Sequence, residues 1–208
     1  MSLSDAGGRK QGVGRGWAAL FAVLSASLVA LATCIAFLEI RPYFDSGLAI
    51  QSRIDGLADR NVSPGPSFAS QRLVLNDCYA TMRSLEARAS PETRWRNLLS
   101  HCDTVSRDIT EWVPAHGYAW LIRAQVAAQQ GDTSALAARL ERARAVAPYE
   151  GWLALERRML AERAVPDDAS LAGAGWRADA TVLIGAGRPD PALVSYYLAD
   201  EGFRMRFN

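Results

Sequence analysis

The chain has 208 residues, half of them hydrophobic, and sets 23 basic against 22 acidic side chains for a formal net charge of +1. That balance excludes a partner selected by bulk electrostatics, and the interleaving of the two signs excludes the basic stripe that tracks nucleic acid. The length allows one domain plus an anchor, and since Lys10 is the only lysine, the arginines read as a compositional bias.

Residues 1–16 are small, polar and glycine-rich, which predicts a disordered, cytoplasmic tail. Positions 17–38 then carry no charged side chain, about the ~20 residues needed to cross a ~30 Å hydrocarbon layer. A single transmembrane helix is therefore expected over 17–40, with Trp17 at one interface and Phe37 and Tyr43 near the other. Arg9, Lys10 and Arg15 precede the span. The positive-inside rule then places the N-terminus in the cytoplasm and the following domain outside, in the periplasm if the membrane is a bacterial cytoplasmic (inner) membrane. Two rival readings are weaker. A cleavable signal peptide has a shorter apolar core. Leu31-Ala32-Thr33-Cys34 looks like a bacterial lipobox, but Thr33 replaces the usual smaller residue and Ile35 continues the apolar run. Cys34 then simply faces lipid.

Residues 41–68 read as a juxtamembrane segment and linker. Leu48, Ile50, Ile54 and Leu57 predict a short amphipathic helix lying on the membrane or on a partner, and Pro64 and Pro66 mark residues 61–67 as a turn-rich connection. Two longer helices follow. Over 69–89, Leu75, Cys78, Met82 and Leu85 form one apolar stripe; over 92–112, Trp95, Leu98, Cys102, Val105, Ile109 and Trp112 form another. Ser90 and Pro91 suit the intervening turn as cap and first helical residue. Residue 90 is midway between Cys78 and Cys102, so an antiparallel hairpin sets the two thiols opposite each other. Helices packed about 9 Å apart leave about 4.5 Å between facing Cα atoms, within reach of a disulfide. An exported domain also supplies the redox compartment.

Residues 117–148 predict two short helices, about 118–129 and 134–146, joined at Gly131-Asp132 and closed by Pro148. Trp120, Ala124 and Ala127 share one face, and Leu136, Leu140 and Ala143 share the other helix's face. This stretch resembles a tetratricopeptide (TPR) repeat. Trp120 falls on the family's tryptophan position, Ala124 on its small residue, Gly131-Asp132 on its turn, Ala143 on its late alanine and Pro148 on its closing proline. Arg123, Ala127 and Leu136 depart from the pattern, and no second copy is visible. The resemblance implies that flanking helices complete the core and that the first helix of the pair lines a groove. Trp120, Arg123 and Gln125 are then the expected protein-binding residues, with Arg123 reaching towards a partner carboxylate or, alternatively, running along the hairpin to water.

A further helix over 150–163, with Trp152, Leu155 and Met159 on one face, is expected to cover the repeat and complete a helical domain over 69–165. A C-terminal helical extension and tail over 166–208 is expected, less regular through 171–184, with a short helix over 191–198 and a tail at 203–208 that folds back or engages a partner. The fold class is all-α: one transmembrane helix plus a TPR-like bundle.

The residues offer no chemistry. His101 and His116 lie in no metal-ligand spacing. His101 and Cys102 are adjacent on a helix and point about 100° apart. Gly173-Ala-Gly175 and Gly185-Ala-Gly187 fall short of a dinucleotide loop. Asp190 and Asp200 have no distinguishing neighbours. No catalytic, metal or cofactor site is expected, and Trp95, Trp112, Trp120 and Trp152 read as core rather than as the exposed platform that a polysaccharide contact would need. The expected role is a non-catalytic, membrane-anchored scaffold for integral membrane or periplasmic proteins of the cell envelope. A loose resemblance to small anchored TPR-like accessory proteins favours polysaccharide assembly or export. The alternatives are a structural subunit that uses its transmembrane helix as interface, with Ser25, Ser27 and Thr33 as polar contacts, and an enzyme or small-ligand receptor.

Overall fold

A computed structural model describes residues 11–45, 49–164 and 174–185, and every regular element within them is a helix. In chain order they are α1 (Gln11–Asp45), α2 (Ile50–Ala58), α3 (Phe68–Arg83), α4 (Leu85–Arg88), α5 (Glu92–Trp112), α6 (Gly117–Gln130), α7 (Thr133–Val146), α8 (Gly151–Ala164) and α9 (Ala174–Gly185). The expected short helix over 191–198 and the tail at 203–208, with Asp190 and Asp200, lie outside the described residues.

Among the described residues, α1 holds the one stretch long and apolar enough to cross a membrane, Trp17–Phe44, whose most apolar 18-residue window has a mean hydropathy of 2.4 and no buried residue. The helix starts at Gln11, so the last six positions of the segment expected to be disordered are helical. Thr33 donates to its own helix at Val29 O, 2.8 Å away, which satisfies the hydroxyl without a neighbour.

The segment expected to be a linker is instead packed. α2 lies on α5 with Ile54, Leu57 and Ala58 buried, so its apolar face serves the core rather than a membrane. Val62 is buried, and its carbonyl meets His101 Nε2 at 2.8 Å. Gly65 and Ser67 bind the end of α1: the Glu39 carboxylate accepts from Ser67 N at 3.1 Å and from the Ser67 hydroxyl. Arg41 donates to Asn61 O at 3.2 Å. Gly65 is needed there, because a Cβ would sit 2.9 Å from Glu39 Cα and from Leu38 O.

Ser67 caps α3 by accepting from Ser70 N at 3.1 Å. The helix expected over 69–89 is broken at Ser84, which is extended and donates back to Thr81 O at 3.0 Å while accepting from Ala87 N at 3.2 Å. A serine that bonds its own backbone competes with helix continuation, and α4 starts afresh. Ser90 is not the cap of α5: its hydroxyl donates to Ala87 O at 2.6 Å, and Pro91 occupies the cap position. α3 and α5 are nonetheless antiparallel neighbours, and Cys78 and Cys102 meet at an S–S distance of 2.08 Å with Cα atoms 5.8 Å apart.

α6 starts one residue earlier than expected because His116 caps it, Nδ1 accepting from Ala119 N at 3.2 Å. Gly131 ends it at φ +72°, the left-handed conformation that glycine adopts without strain. Asp132 caps α7 through Ala135 N at 2.9 Å, and the hydrogen bond holds its carboxyl below the usual carboxylate range. Ala124, Ala127 and Ala143 are completely buried, and these small side chains let α6 and α7 pack closely.

α6 is the central helix. Tyr118, Ala119, Leu121, Ile122, Ala124, Val126 and Ala127 are all buried, which covers every direction around its axis, against α3, α5, α7 and α8. The expected hairpin of two short helices is present as α6 and α7. Residues 174–185, in the extension expected to be helical but less regular through 171–184, form the continuous helix α9. Asp179 fastens it: its carboxylate lies 2.5 Å from Arg157 Nη2 and 3.0 Å from Arg144 Nη2, and Arg157 is fully buried.

A candidate binding cleft between α3, α4, α6 and α8

The three residues expected to bind a partner do not share a surface. Arg123 and Gln125 are two positions apart, about 200° around a helix, and they face opposite sides of α6. Arg123 is turned inward. Its Nη1 donates to Thr110 Oγ1 at 3.2 Å, its guanidinium lies 4.7 Å from the centre of the Trp120 ring, and Asp103 is 4.0 Å away. Arg139 closes the group, 3.3 Å from Asp103 and donating to Arg123 O at 2.7 Å. Burial, with Arg139 second, lowers the pKa of Arg123. Trp120 is half-buried, donates its indole N–H to Pro114 O at 2.9 Å, and carries Arg142 at 5.8 Å on the same ring. This is an internal polar cluster joining α5, α6 and α7. It does not present Arg123 to a partner.

Gln125 is 3% exposed, which corrects its reading as an open contact residue, yet it lines a cleft on the other side of α6. The cleft has a volume of about 450 Å³ and takes its walls from Tyr79 and Arg83 of α3, Arg88 of α4, Leu121, Gln125 and Gln129 of α6, and Glu156, Leu160 and Arg163 of α8. Leu121, Ala128 and Leu160 give it an apolar part beside the polar Gln125 and Gln129, and its charged lining is three arginines against one glutamate.

One wall is a fixed network. The Tyr79 hydroxyl donates to Glu156 and accepts from Arg83, and Arg83 also pairs with Glu156 at 3.3 Å. The Arg83 guanidinium lies 4.9 Å from the centre of the Tyr79 ring. Burial, followed by the Glu156 hydrogen bond, pushes the Tyr79 hydroxyl up to about 12, so it keeps its proton and remains a donor. The other wall carries cations without carboxylates. Arg88 is exposed, and Arg163 donates only to Met159 O at 2.9 Å. With Glu156 already matched by Arg83, Arg88 and Arg163 leave the rim net positive. Such a cleft suits a carboxylate or phosphate set beside an apolar group.

Of the tryptophans expected in the core, Trp112 is 87% exposed and Trp152 is 40% exposed, while Trp95 is half-buried against the core. The two histidines are both buried and both held below the ordinary imidazole range by that burial. Among the described residues no group of three or more His, Cys, Asp or Glu side chains could hold a metal ion. The cleft was not legible in the sequence, because its walls come from four helices and its free arginines sit in no motif.

Compared with known proteins, the chain matches no family, no curated protein and no solved structure.

Proposed function

We propose that this protein is a single-pass, non-catalytic scaffold of a bacterial cytoplasmic membrane. Its helical domain stands on the periplasmic side and holds partner proteins of the cell envelope, with polysaccharide assembly or export the favoured setting. The observation that carries the reading is the cleft: about 450 Å³, part apolar and part polar, lined by arginines that exceed its carboxylates, on a domain joined to a membrane-length helix. The occupant that fits is an acidic segment of a partner with at least one apolar side chain. The TPR resemblance supports recognition as the role but supplies the wrong residues, and the cleft residues replace Arg123 and Trp120 in the proposal.

The test is capture from membranes in mild detergent, read by mass spectrometry, with the full-length chain and its Arg88→Glu/Arg163→Glu variant. Neither arginine is in an ion pair, so the variant is expected to melt as the parent does. Partner recovery should fall roughly tenfold, the effect of ~1.4 kcal/mol of lost binding energy. An unchanged partner set with an intact fold removes the cleft from the proposal.

A further inference from the structure

The exposed aromatic side chains of the domain are gathered at one end. Outside α1, and among the described residues, the large exposed hydrophobics are Phe68, Leu85, Trp112, Val113, Tyr149 and Trp152. All except Leu85 lie at the end where α3, α6 and α8 begin and α5 and α7 finish. Phe68 stacks on His116 at 4.7 Å, and Tyr118 meets Trp152 edge-on at 5.0 Å. His116 N donates to Val113 O at 2.9 Å. Phe68, Arg72, His116, Glu150 and Trp152 line one shallow cleft of about 230 Å³. The shallow cleft joins α3, α6 and α8, and Trp112 and Tyr149 lie in sequence beside its edges, Trp112 next to Val113 and Tyr149 next to Glu150.

This end is also where α1 arrives. Ser67, next to Phe68, is bonded to Glu39, and Glu39 directly follows the charge-free run over 17–38. α1 runs on to Asp45, so about 10 Å of helix stands beyond that run at 1.5 Å per residue. The domain is fastened to this stub from its base outward, through Glu39, Arg41 and the buried Pro42.

We propose that this aromatic end of the domain rests on the lipid surface that α1 leaves. Trp112, Tyr149 and Trp152 have the amphipathic rings that sit at headgroup depth. Arg72, 5.5 Å from the centre of the Trp152 ring, is placed to reach phosphate groups. The proposal rests on α1 being a membrane span, and the occupant is the bilayer itself rather than a second copy or a partner protein.

The test uses the full chain in lipid nanodiscs holding one copy each, with a thiol-reactive nitroxide whose exposure to lipid-soluble oxygen and to a water-soluble nickel chelate is compared. The native free thiol, Cys34, is labelled first. In a Cys34→Ser background the label is then moved to Tyr149→Cys, Trp112→Cys or Leu85→Cys, all at exposed side chains whose removal spares the core. Cys34 should be reached by oxygen and not by the chelate, and Leu85→Cys the reverse. Tyr149→Cys and Trp112→Cys should lose most of the chelate broadening seen at Leu85→Cys. If Cys34 is open to the chelate, the membrane span itself fails. If Cys34 is shielded while both aromatic positions are as open as Leu85→Cys, the domain stands clear of the bilayer and the proposal is overturned. Shielding of those two positions that appears only when discs hold two copies would assign the patch to a second chain instead.

Discussion

Arg123 and His116 show how much a side chain's setting decides. The TPR pattern marks Arg123 as a departure, and the sequence leaves two directions open for it. The structure turns it inward, against Thr110, Trp120 and the Asp103–Arg139 pair. A glutamate there would set a like charge beside Asp103 and lose the contacts to Thr110 and the Trp120 ring. Arg123→Glu is therefore expected to destabilise the domain by about 1–3 kcal/mol, rather than leave folding nearly intact, and urea unfolding checks it. An unshifted midpoint would return Arg123 to the surface. His116 acts only when neutral, since its Nδ1 must accept from Ala119 N. Burial lowers its pKa below the unfolded value of about 6.5, as it does for His101. Between the folded and unfolded values the unfolded chain binds more protons, so stability is full above about pH 6.5 and is lost as the pH falls towards the folded value. Each histidine contributes a slope of at most ~1.4 kcal/mol per pH unit. Thermal melts from pH 7.5 to 5.5 should show the decline. His116→Asn, which keeps a cap acceptor without titrating, should flatten it, and an equal slope in that variant would clear His116 of the effect.

At the scale of elements, local chemistry was legible and long-range packing was not. The bounds of α5, the left-handed Gly131 and the Asp132 cap follow from periodicity and turn residues that the chain carries locally. So does the antiparallel pairing of Cys78 with Cys102, which needs only a turn near residue 90. The break at Ser84 went unread because a serine within an apolar stripe carries no mark of whether it will bond its own backbone. The amphipathic helix expected at α2 is present, but its expected cover, the membrane or a partner, is replaced by α5, because an amphipathic helix declares an apolar face and not what covers it. The regularity and docking of α9 within the expected helical extension were not legible for a related reason: its fastening is Asp179 to Arg157 and Arg144, a pairing that sequence distance conceals. The burial of α6 on every face likewise depends on four neighbours, so the expected groove on it could not be tested from the repeat pattern alone. The Cys78–Cys102 bridge closes a separation of 24 residues, worth roughly 3 kcal/mol on the chain-entropy account. Reduction, or Cys78→Ser/Cys102→Ser, should lower unfolding stability by about that amount without changing the helical circular dichroism. A bridge-free variant as stable as the oxidised parent would sink this expectation.

For the molecule as a whole, the helical class and the membrane-length N-terminal helix could be read from composition and length, whereas the cleft required the assembled bundle. Orientation is a separate prediction that rests on Arg9, Lys10 and Arg15 before the span. A reporter active only outside the cytoplasm should work after Asn208 and fail before Trp17, and the reverse pattern would overturn the proposed compartment. The junction at Glu39, Gly65 and Ser67 bears on how any partner is met. Flexible tethers let a domain sweep a volume that grows with their length, and they trade reach against local concentration. Among the described residues, Glu39 and Arg41 clasp the domain to α1 rather than leaving it on such a leash. If α1 spans the membrane as proposed, the domain moves as that helix moves, and its cleft patrols a single plane at one height above the bilayer. Encounter then becomes a two-dimensional search by lateral diffusion, and a partner must present its acidic segment at that height. Lengthening the junction with flexible residues should change which partners are captured even with every cleft residue left in place.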